Sequence, residues 1–169
     1  MRFIFYLYER KTPYNEFNLY YYCTTMNDKV LNQTQFAHLI PHAGSMMLID
    51  QVDSWSDKQI NCSTQSHLAS DNPLRLNNSL SAMHLIEYGA QSMAIHGGLL
   101  SGQSSPGFLA AVRGAHFHID NLDTITSSLH IEACAELKIE NGAVYAFRII
   151  DSHNVLLLDA RATVIHTQA

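Results

Sequence analysis

The sequence lacks three features that would assign it to large classes of protein. It has no apolar run approaching the roughly 18 residues of a membrane-spanning helix. Its three cysteines form no CxxC pair and no even disulfide framework, which favours a reducing compartment. Basic residues are outnumbered, 10 against 15 acidic ones, and those after Met26 are scattered, which argues against nucleic-acid binding. We therefore expect a soluble, cytoplasmic protein with no nucleic-acid partner.

Metal-binding patterns are also absent. His116 and His118 alternate in "RGAHFHID", but no cysteine or acidic residue stands at a matching spacing. We predict no metal site and no cofactor.

The first 25 residues differ from the rest of the chain. They are crowded with Tyr and Phe and show neither helical nor strand periodicity. Glu9, Arg10 and Lys11 interrupt any run that would serve as a signal peptide. We interpret residues 1–25 as an artefactual upstream start with Met26 as the initiator, and a genuine aromatic arm is the alternative. Residues 26–169 have the length of one domain with one core.

Two helices are predicted. A short helix spans Asn32–Leu39, with Asn32 as its cap and Pro41 as its stop. The long helix follows the cap residue Asn78 and runs to about His96, where Gly97 and Gly98 end it. It is apolar around most of its circumference, so it must be enclosed by other elements.

Strands are predicted on both sides of the long helix. Two precede it, Met46–Ser56 and Gln59–Ser66, and a longer one follows it, Phe108–Ile119. The end of the chain alternates apolar and polar residues with period two, which indicates three more strands, joined first by a hairpin at Asn141-Gly142. This order predicts an α+β fold in which an antiparallel sheet wraps around one long central helix.

Glu87 stands in the middle of the long apolar helix. Residues three and four apart share a face, so His84, Glu87 and Gln91 form a narrow polar stripe. A carboxyl group with reduced hydration suits a role in holding and delivering a proton. The alternative is that this face meets solvent or a subunit seam, with Glu87 simply hydrated and His84 a partly exposed polar residue.

Two segments carry a resemblance to a known family: "IPHAGSMMLIDQV" (Ile40 to Val52) and "LIEYGAQSMAIHGG" (Leu85 to Gly98). They resemble the sequence marks of 3-hydroxyacyl-acyl carrier protein dehydratases, the hotdog-fold enzymes of bacterial fatty acid synthesis. The first mark is a Pro-His dipeptide before an apolar strand with an Asp, and the second is a helix Glu followed four residues later by a Gln. The resemblance spans roughly residues 30–166 in element order and implies a hotdog fold.

The resemblance also implies roles for residues. Glu87 becomes the catalytic carboxyl that protonates or orients the departing 3-hydroxyl group, while a histidine from the opposite subunit removes the proton at carbon 2. Gln91 would fix the Glu87 rotamer, and His42 and His84 are candidates for substrate binding or support of the site. No cofactor or metal is implied.

The family's histidine is missing from its expected place. It stands in a Gly-His-Phe-Pro stretch fourteen residues before the Glu, a position that Pro73 occupies here. His42 belongs to the earlier motif, which is not the proton-abstracting site in the family. His67 lies six residues too early and would need a shifted loop.

This departure matches a subgroup. "PHAGSM", "NPLRL", "IEYGAQSMAIHGG" and "GFLAAVR" together resemble the dehydratase-like hotdog subunit of bacterial aryl polyene clusters, a type II polyketide pathway. That subunit resembles one half of a heterodimer whose other half carries the histidine. We therefore predict a hotdog homo- or heterodimer in which a partner completes the site for substrates bound to acyl carrier protein.

Two alternatives stay open. A catalytically silent hotdog would scaffold its partner or bind an acyl chain, and the missing histidine favours that hypothesis. A hotdog thioesterase would use the helix carboxylate to position water, and it ranks below the other two. Because acyl carrier proteins are acidic, docking on this acidic chain would need Arg75 and Arg113 to lie together, or a basic patch on the partner.

Overall fold

The computed structural model describes residues 26–104 and 107–166. The predictions for residues 1–25 lie outside these described residues. The described residues form two α-helices, α1 Gln33–Phe36 and the longer α2 Leu85–Ser101. The same residues form seven strands: β1 Leu31–Asn32, β2 Gln51–Trp55, β3 Gln59–Thr64, β4 Gly107–Phe117, β5 Leu129–Ile139, β6 Gly142–Asp151 and β7 Leu156–His166.

All seven strands belong to one antiparallel sheet in the order β1-β2-β3-β5-β6-β7-β4. Helix α2 packs against β3, β5, β6 and β7. The alternation predicted for β6 is observed, since Tyr145, Phe147 and Ile149 are buried while their neighbours are half-buried. The predicted α+β architecture, with one long helix against an antiparallel sheet, is confirmed.

The predicted limits of the long helix are wrong at both ends. Asn78 is no cap, because it lies with Asn77 in a turn where both residues have positive φ, 62° and 51°. A 3-10 turn at Ala82–His84 leads into α2 instead, and the Ser81 hydroxyl accepts the Met83 N–H. The helix also continues past the Gly97-Gly98 pair to Ser101 and ends at Gly102, whose φ of 74° is left-handed.

Gly98 serves packing rather than termination. A Cβ at this position would lie 2.7 Å from the Leu39 Cβ, so only glycine lets the helix approach the residues after α1 this closely.

The predicted strand Met46–Ser56 is longer than the observed strand β2, Gln51–Trp55. Gly44–Met46 form a 3-10 turn, and the buried residues Met47, Leu48 and Ile49 precede β2 without belonging to it.

The last two details concern the β5–β6 hairpin. The turn is present, but Asn141 and Gly142 do not adopt the positive φ predicted for them. Gly142 is required for another reason: a Cβ there would overlap the backbone carbonyl of Val164 on β7. A register shift between Ala135 and Leu137 turns Leu137 outward, where 56% of its surface is exposed.

Among the described residues, no helix is long and apolar enough to cross a membrane.

Helix α2 lies directly against Phe147 of the sheet at Gly89. A Cβ on Gly89 would lie 2.5 Å from Cε2 of Phe147, so Gly89→Ala forces the ring or the helix to shift. We expect a loss of about 1–3 kcal/mol in the free energy of unfolding, measured by chemical denaturation. In a Phe147→Leu background, which removes those ring atoms, the same substitution should cost less. An equal cost in both backgrounds would contradict this packing account.

Candidate functional site

Glu87 occupies the first turn of α2, on the side that the sheet does not cover. Its side chain is 33% exposed, and Met83, one turn before it, is 68% exposed. The neighbouring helix residues on the opposite side, including Leu85 and Tyr88, are fully buried. The carboxyl group therefore stands at the boundary between the core and an open face of the molecule.

Gln91 connects Glu87 to the segment before β2. It is fully buried, and its Nε2 donates to Glu87 Oε1 at 3.0 Å and to the Met46 carbonyl oxygen at 2.8 Å. Its Oε1 accepts the buried Leu48 N–H at 2.9 Å. Because a backbone donor and a backbone acceptor fix the two ends of the amide, its orientation is determined and its second N–H must face Glu87. Gln91 therefore lies against Glu87, and its role in the reaction stays a prediction.

His42 is the second group that contacts Glu87. Its Nε2 lies 3.1 Å from Glu87 Oε1, the same oxygen that Gln91 contacts. Its other ring nitrogen, Nδ1, is buried and has no hydrogen-bond partner among the described residues. The pairing was not predicted from the sequence, although His42 was named as a candidate for this region. The two motifs that suggested the family thus meet at one carboxyl oxygen.

A cavity of about 430 Å³ adjoins this cluster. It lies between α1 and the residues 42–47, and its lining includes His38, His42 and Met47. His84, the remaining predicted site residue, is half-buried at the start of α2. No hydrogen bond or ion pair joins it to Glu87 within the described ranges.

His67 does not replace the missing histidine. It is fully buried in a 3-10 turn at Ser66–Leu68, and neither ring nitrogen makes a hydrogen bond within the described part of the chain. Burial lowers the pKa of His67, and the backbone of Ile125 and Ser127 offsets part of that shift. The His67 ring is therefore enclosed, and no hydrogen bond or ion pair joins it to Glu87 within the described residues.

His96 is a structural core residue rather than a positively charged helix end. It is fully buried, with Nδ1 2.9 Å from the Tyr145 hydroxyl and Nε2 2.9 Å from the Ser56 carbonyl oxygen. These partners assign the proton to Nε2, which donates to Ser56, while Nδ1 accepts from Tyr145. Burial lowers the pKa of His96 and raises the pKa of Tyr145 to about 12, so both groups remain neutral.

The loop that should carry the missing histidine is organised around Arg75 instead. Its guanidinium donates to the carbonyl oxygens of Ala69, Asn78 and His67 at 2.8–3.1 Å, and to Asp123 Oδ1 at 2.7 Å. Asp123 also accepts the Ser79 hydroxyl, and these contacts lower the pKa of the Asp123 carboxyl. Arg75 is therefore committed to the loop and does not offer its charge for docking an acidic carrier protein.

His116 and His118 share a carboxylate. His116 Nδ1 lies 3.0 Å from Oδ2 of Asp159 on β7, and His118 Nε2 lies 3.0 Å from Oδ1 of the same carboxylate. Within the ranges that the structure describes, no group of three or more His, Cys, Asp or Glu side chains is arranged to hold a metal ion.

Comparison with known proteins identifies what this chain resembles. The family model described as ApeP-like, ApeP dehydratase, matches residues 34–169. The structure is similar to the dehydratase heterocomplex ApeI:P from Xenorhabdus doucetiae, with 21% identity over 79% of this chain and 91% of that chain and a TM-score of 0.69. No curated protein sequence matches significantly.

Two further solved structures share the fold. The Escherichia coli PaaI protein of the phenylacetic acid degradation operon is 12% identical over 72% of this chain and 80% of its own, with a TM-score of 0.51. A mutant of the thioesterase SAV0944 from Staphylococcus aureus is 13% identical over 69% of this chain and 92% of its own, also with a TM-score of 0.51. At such identities these neighbours show the fold alone, and the predicted hotdog fold is confirmed.

The buried amide of Gln91 gives the first prediction for this site. Gln91→Leu leaves the buried Leu48 N–H without an acceptor, so the free energy of unfolding should fall by about 1–3 kcal/mol in chemical denaturation. Gln33→Leu is the matched control, since Gln33 donates to the carbonyl oxygens of Met47 and Ile49 and makes no hydrogen bond to Glu87. The account fails if Gln91→Leu is as stable as the unsubstituted protein.

The second prediction concerns acid stability. The folded-state pKa of His67 lies below its ordinary value of 6.5, so the unfolded chain binds the proton more readily and stability falls as the pH drops below about 6.5. His67→Leu removes this proton uptake together with two unpaired buried nitrogens. Its thermal midpoint should therefore decline less than that of the parent between pH 7 and pH 5. His38→Leu, at an exposed histidine, should decline as the parent does, and identical profiles for His67→Leu and parent would refute this assignment.

Proposed function

This chain belongs to the ApeP-like dehydratase family, and from that premise we propose that it is one subunit of a hotdog heteromer that dehydrates 3-hydroxyacyl thioesters on acyl carrier protein. Glu87 is the general acid of the reaction, and Gln91 orients it. The observation that carries the proposal is the Gln91 amide, anchored by Leu48 and Met46 and directed at Glu87 Oε1. A carboxylate that only faced water would not need a hydrogen-bond donor held in one orientation.

The proposed chemistry is an elimination. A base removes the proton at carbon 2, the bond between carbon 3 and its hydroxyl oxygen breaks, and a double bond forms between carbons 2 and 3. Glu87 gives its proton to the departing hydroxyl, which leaves as water. The protonated base then returns a proton to Glu87, directly or through a water, and both groups are restored. Acid and base suffice for this balance, so the proposal requires no cofactor.

We assign the base to a histidine of a partner chain. The histidines of this chain that come into question are poorly placed, since His67 is enclosed and the free nitrogen of His42 is buried. The similar structure from Xenorhabdus doucetiae is described as a dehydratase heterocomplex. A partner hotdog chain would supply the histidine, and we propose cytoplasmic acyl carrier protein as the carrier of its substrates.

Two exposed features support a partner. Glu87 and Met83 mark a side of α2 that the sheet leaves uncovered. Strand β4 is an 11-residue edge strand whose outer side pairs with no other strand of the described residues, and its Phe108 is exposed. Long exposed edges commonly pair with another chain. A partner covering both features would exclude water from Glu87, and it would also supply the basic docking patch that Arg75 does not offer.

The reaction is tested by incubating the chain with a histidine-bearing hotdog dehydratase chain and a 3-hydroxyacyl-acyl carrier protein. Intact mass should show the loss of one water. Glu87→Gln should abolish this loss, because it removes the transferable proton while keeping the size of the side chain. Glu140→Gln, at an exposed carboxylate in the β5–β6 turn, should retain activity and controls for net charge.

The same assay separates the alternatives. A folded Glu87→Gln complex with full activity, or a partner that is equally active alone, would instead support a silent scaffold. Release of free acid rather than loss of water would identify a thioesterase. Dehydration by this chain alone would overturn the assignment of the base to a partner.

A further inference from the structure

We propose that His42 is a positioning residue for the same reaction: it donates a hydrogen bond from Nε2 to Glu87 Oε1, so that Oε2 of Glu87 is the oxygen that delivers the proton. The inference rests on the proposed role of Glu87, and it adds the state of His42 and the identity of the reacting oxygen. Its basis is that two side chains from different parts of the chain converge on one carboxyl oxygen.

The first step is the fixed direction of the Gln91 donor. The Gln91 Oε1 accepts the Leu48 N–H, so its Nε2 faces Glu87 and can only donate. Glu87 Oε1 is therefore an acceptor. A proton on the Glu87 carboxyl group is held on the other oxygen, because placing it on Oε1 would weaken a hydrogen bond that the backbone has already fixed.

The second step is the tautomer of His42. Its Nδ1 is buried and has no acceptor among the described residues, so a proton there would be a buried N–H without a partner. Nε2 instead lies 3.1 Å from Glu87 Oε1, so a proton on this nitrogen has an acceptor beside it. The tautomer with hydrogen on Nε2 avoids an unpartnered buried N–H at Nδ1 and uses the nearby oxygen of Glu87. In this tautomer His42 is a second donor to Oε1.

The consequence concerns the carboxylate that remains after proton delivery. When Oε2 gives its proton to the leaving hydroxyl, the negative charge is shared with Oε1, which already accepts the Gln91 N–H and lies beside His42 Nε2. These donors are in place before the reaction, so they stabilise the charge without reorganisation. His42 cannot serve as the base from this position, since its proton-bearing nitrogen faces Glu87 and its free nitrogen is enclosed.

Substitutions at His42 test the role through catalysis by the heteromer. His42→Leu removes the donor, and we expect kcat to fall by about 10- to 100-fold, the range for loss of one hydrogen bond to a charged group, with KM little changed. His42→Gln places an amide N–H close to the former Nε2 and should restore most of kcat. His153→Gln, at an exposed histidine in the turn between β6 and β7, is the matched control and should behave as the parent.

The tautomer is tested without activity by NMR of the chain carrying ¹⁵N-labelled histidine. The His42 signals, assigned by their loss in His42→Gln, should show the proton on Nε2, and Glu87→Gln should shift them. A proton on Nδ1 would overturn the inference.

The outcomes separate this inference from the proposed function. If Glu87→Gln is inactive while His42→Leu keeps full activity, Glu87 remains the acid and the role of His42 is refuted. If His42→Gln is as inactive as His42→Leu in folded protein, His42 transfers protons itself and is no positioning residue. If Glu87→Gln remains active, the proposed function fails first.

Discussion

The site depends on one buried amide. Gln91 lies in the middle of α2 with no exposed surface, and such a group is stable only if each of its hydrogen-bonding atoms has a partner. Leu48 and Met46 provide two partners from the segment before β2, and Glu87 provides the third. The requirement that this buried amide be fully hydrogen-bonded thus ties Glu87 to the segment before β2.

The second constraint is how closely α2 packs against its neighbours. Gly89 and Gly98 have no side chain, which lets the helix lie against Phe147 on one side and Leu39 on another. The helix is consequently enclosed where it is most apolar, and it is left uncovered along the side that carries Met83 and Glu87. In the proposed function, this uncovered side with its oriented carboxyl group faces the partner that completes the active site.

Much of this organisation could be predicted from local sequence, because period-two alternation and the long apolar stretch reflect burial within single elements. The predicted details that were wrong depend on contacts between different secondary-structure elements. Gly97-Gly98 indicated a helix end by local rules, yet Gly98 is required by the close contact with Leu39. Gly142 is likewise required by the close approach of Val164 rather than by its own turn. The pairing of His42 with Glu87 joins residues far apart in sequence, so no local period could show it. A usable signal was present, since both residues belong to the two motifs that identified the family.

The central claim is that Glu87 is held at Oε1 and acts through Oε2. A crystal structure of the chain with its histidine-bearing partner and a carrier protein bearing a non-eliminating 3-hydroxyacyl amide tests this most directly. The account predicts the 3-hydroxyl within hydrogen-bond distance of Glu87 Oε2, the partner's histidine facing carbon 2, and Gln91 and His42 still on Oε1. A substrate hydroxyl bound by another group, or Glu87 turned away from the acyl chain, would contradict it.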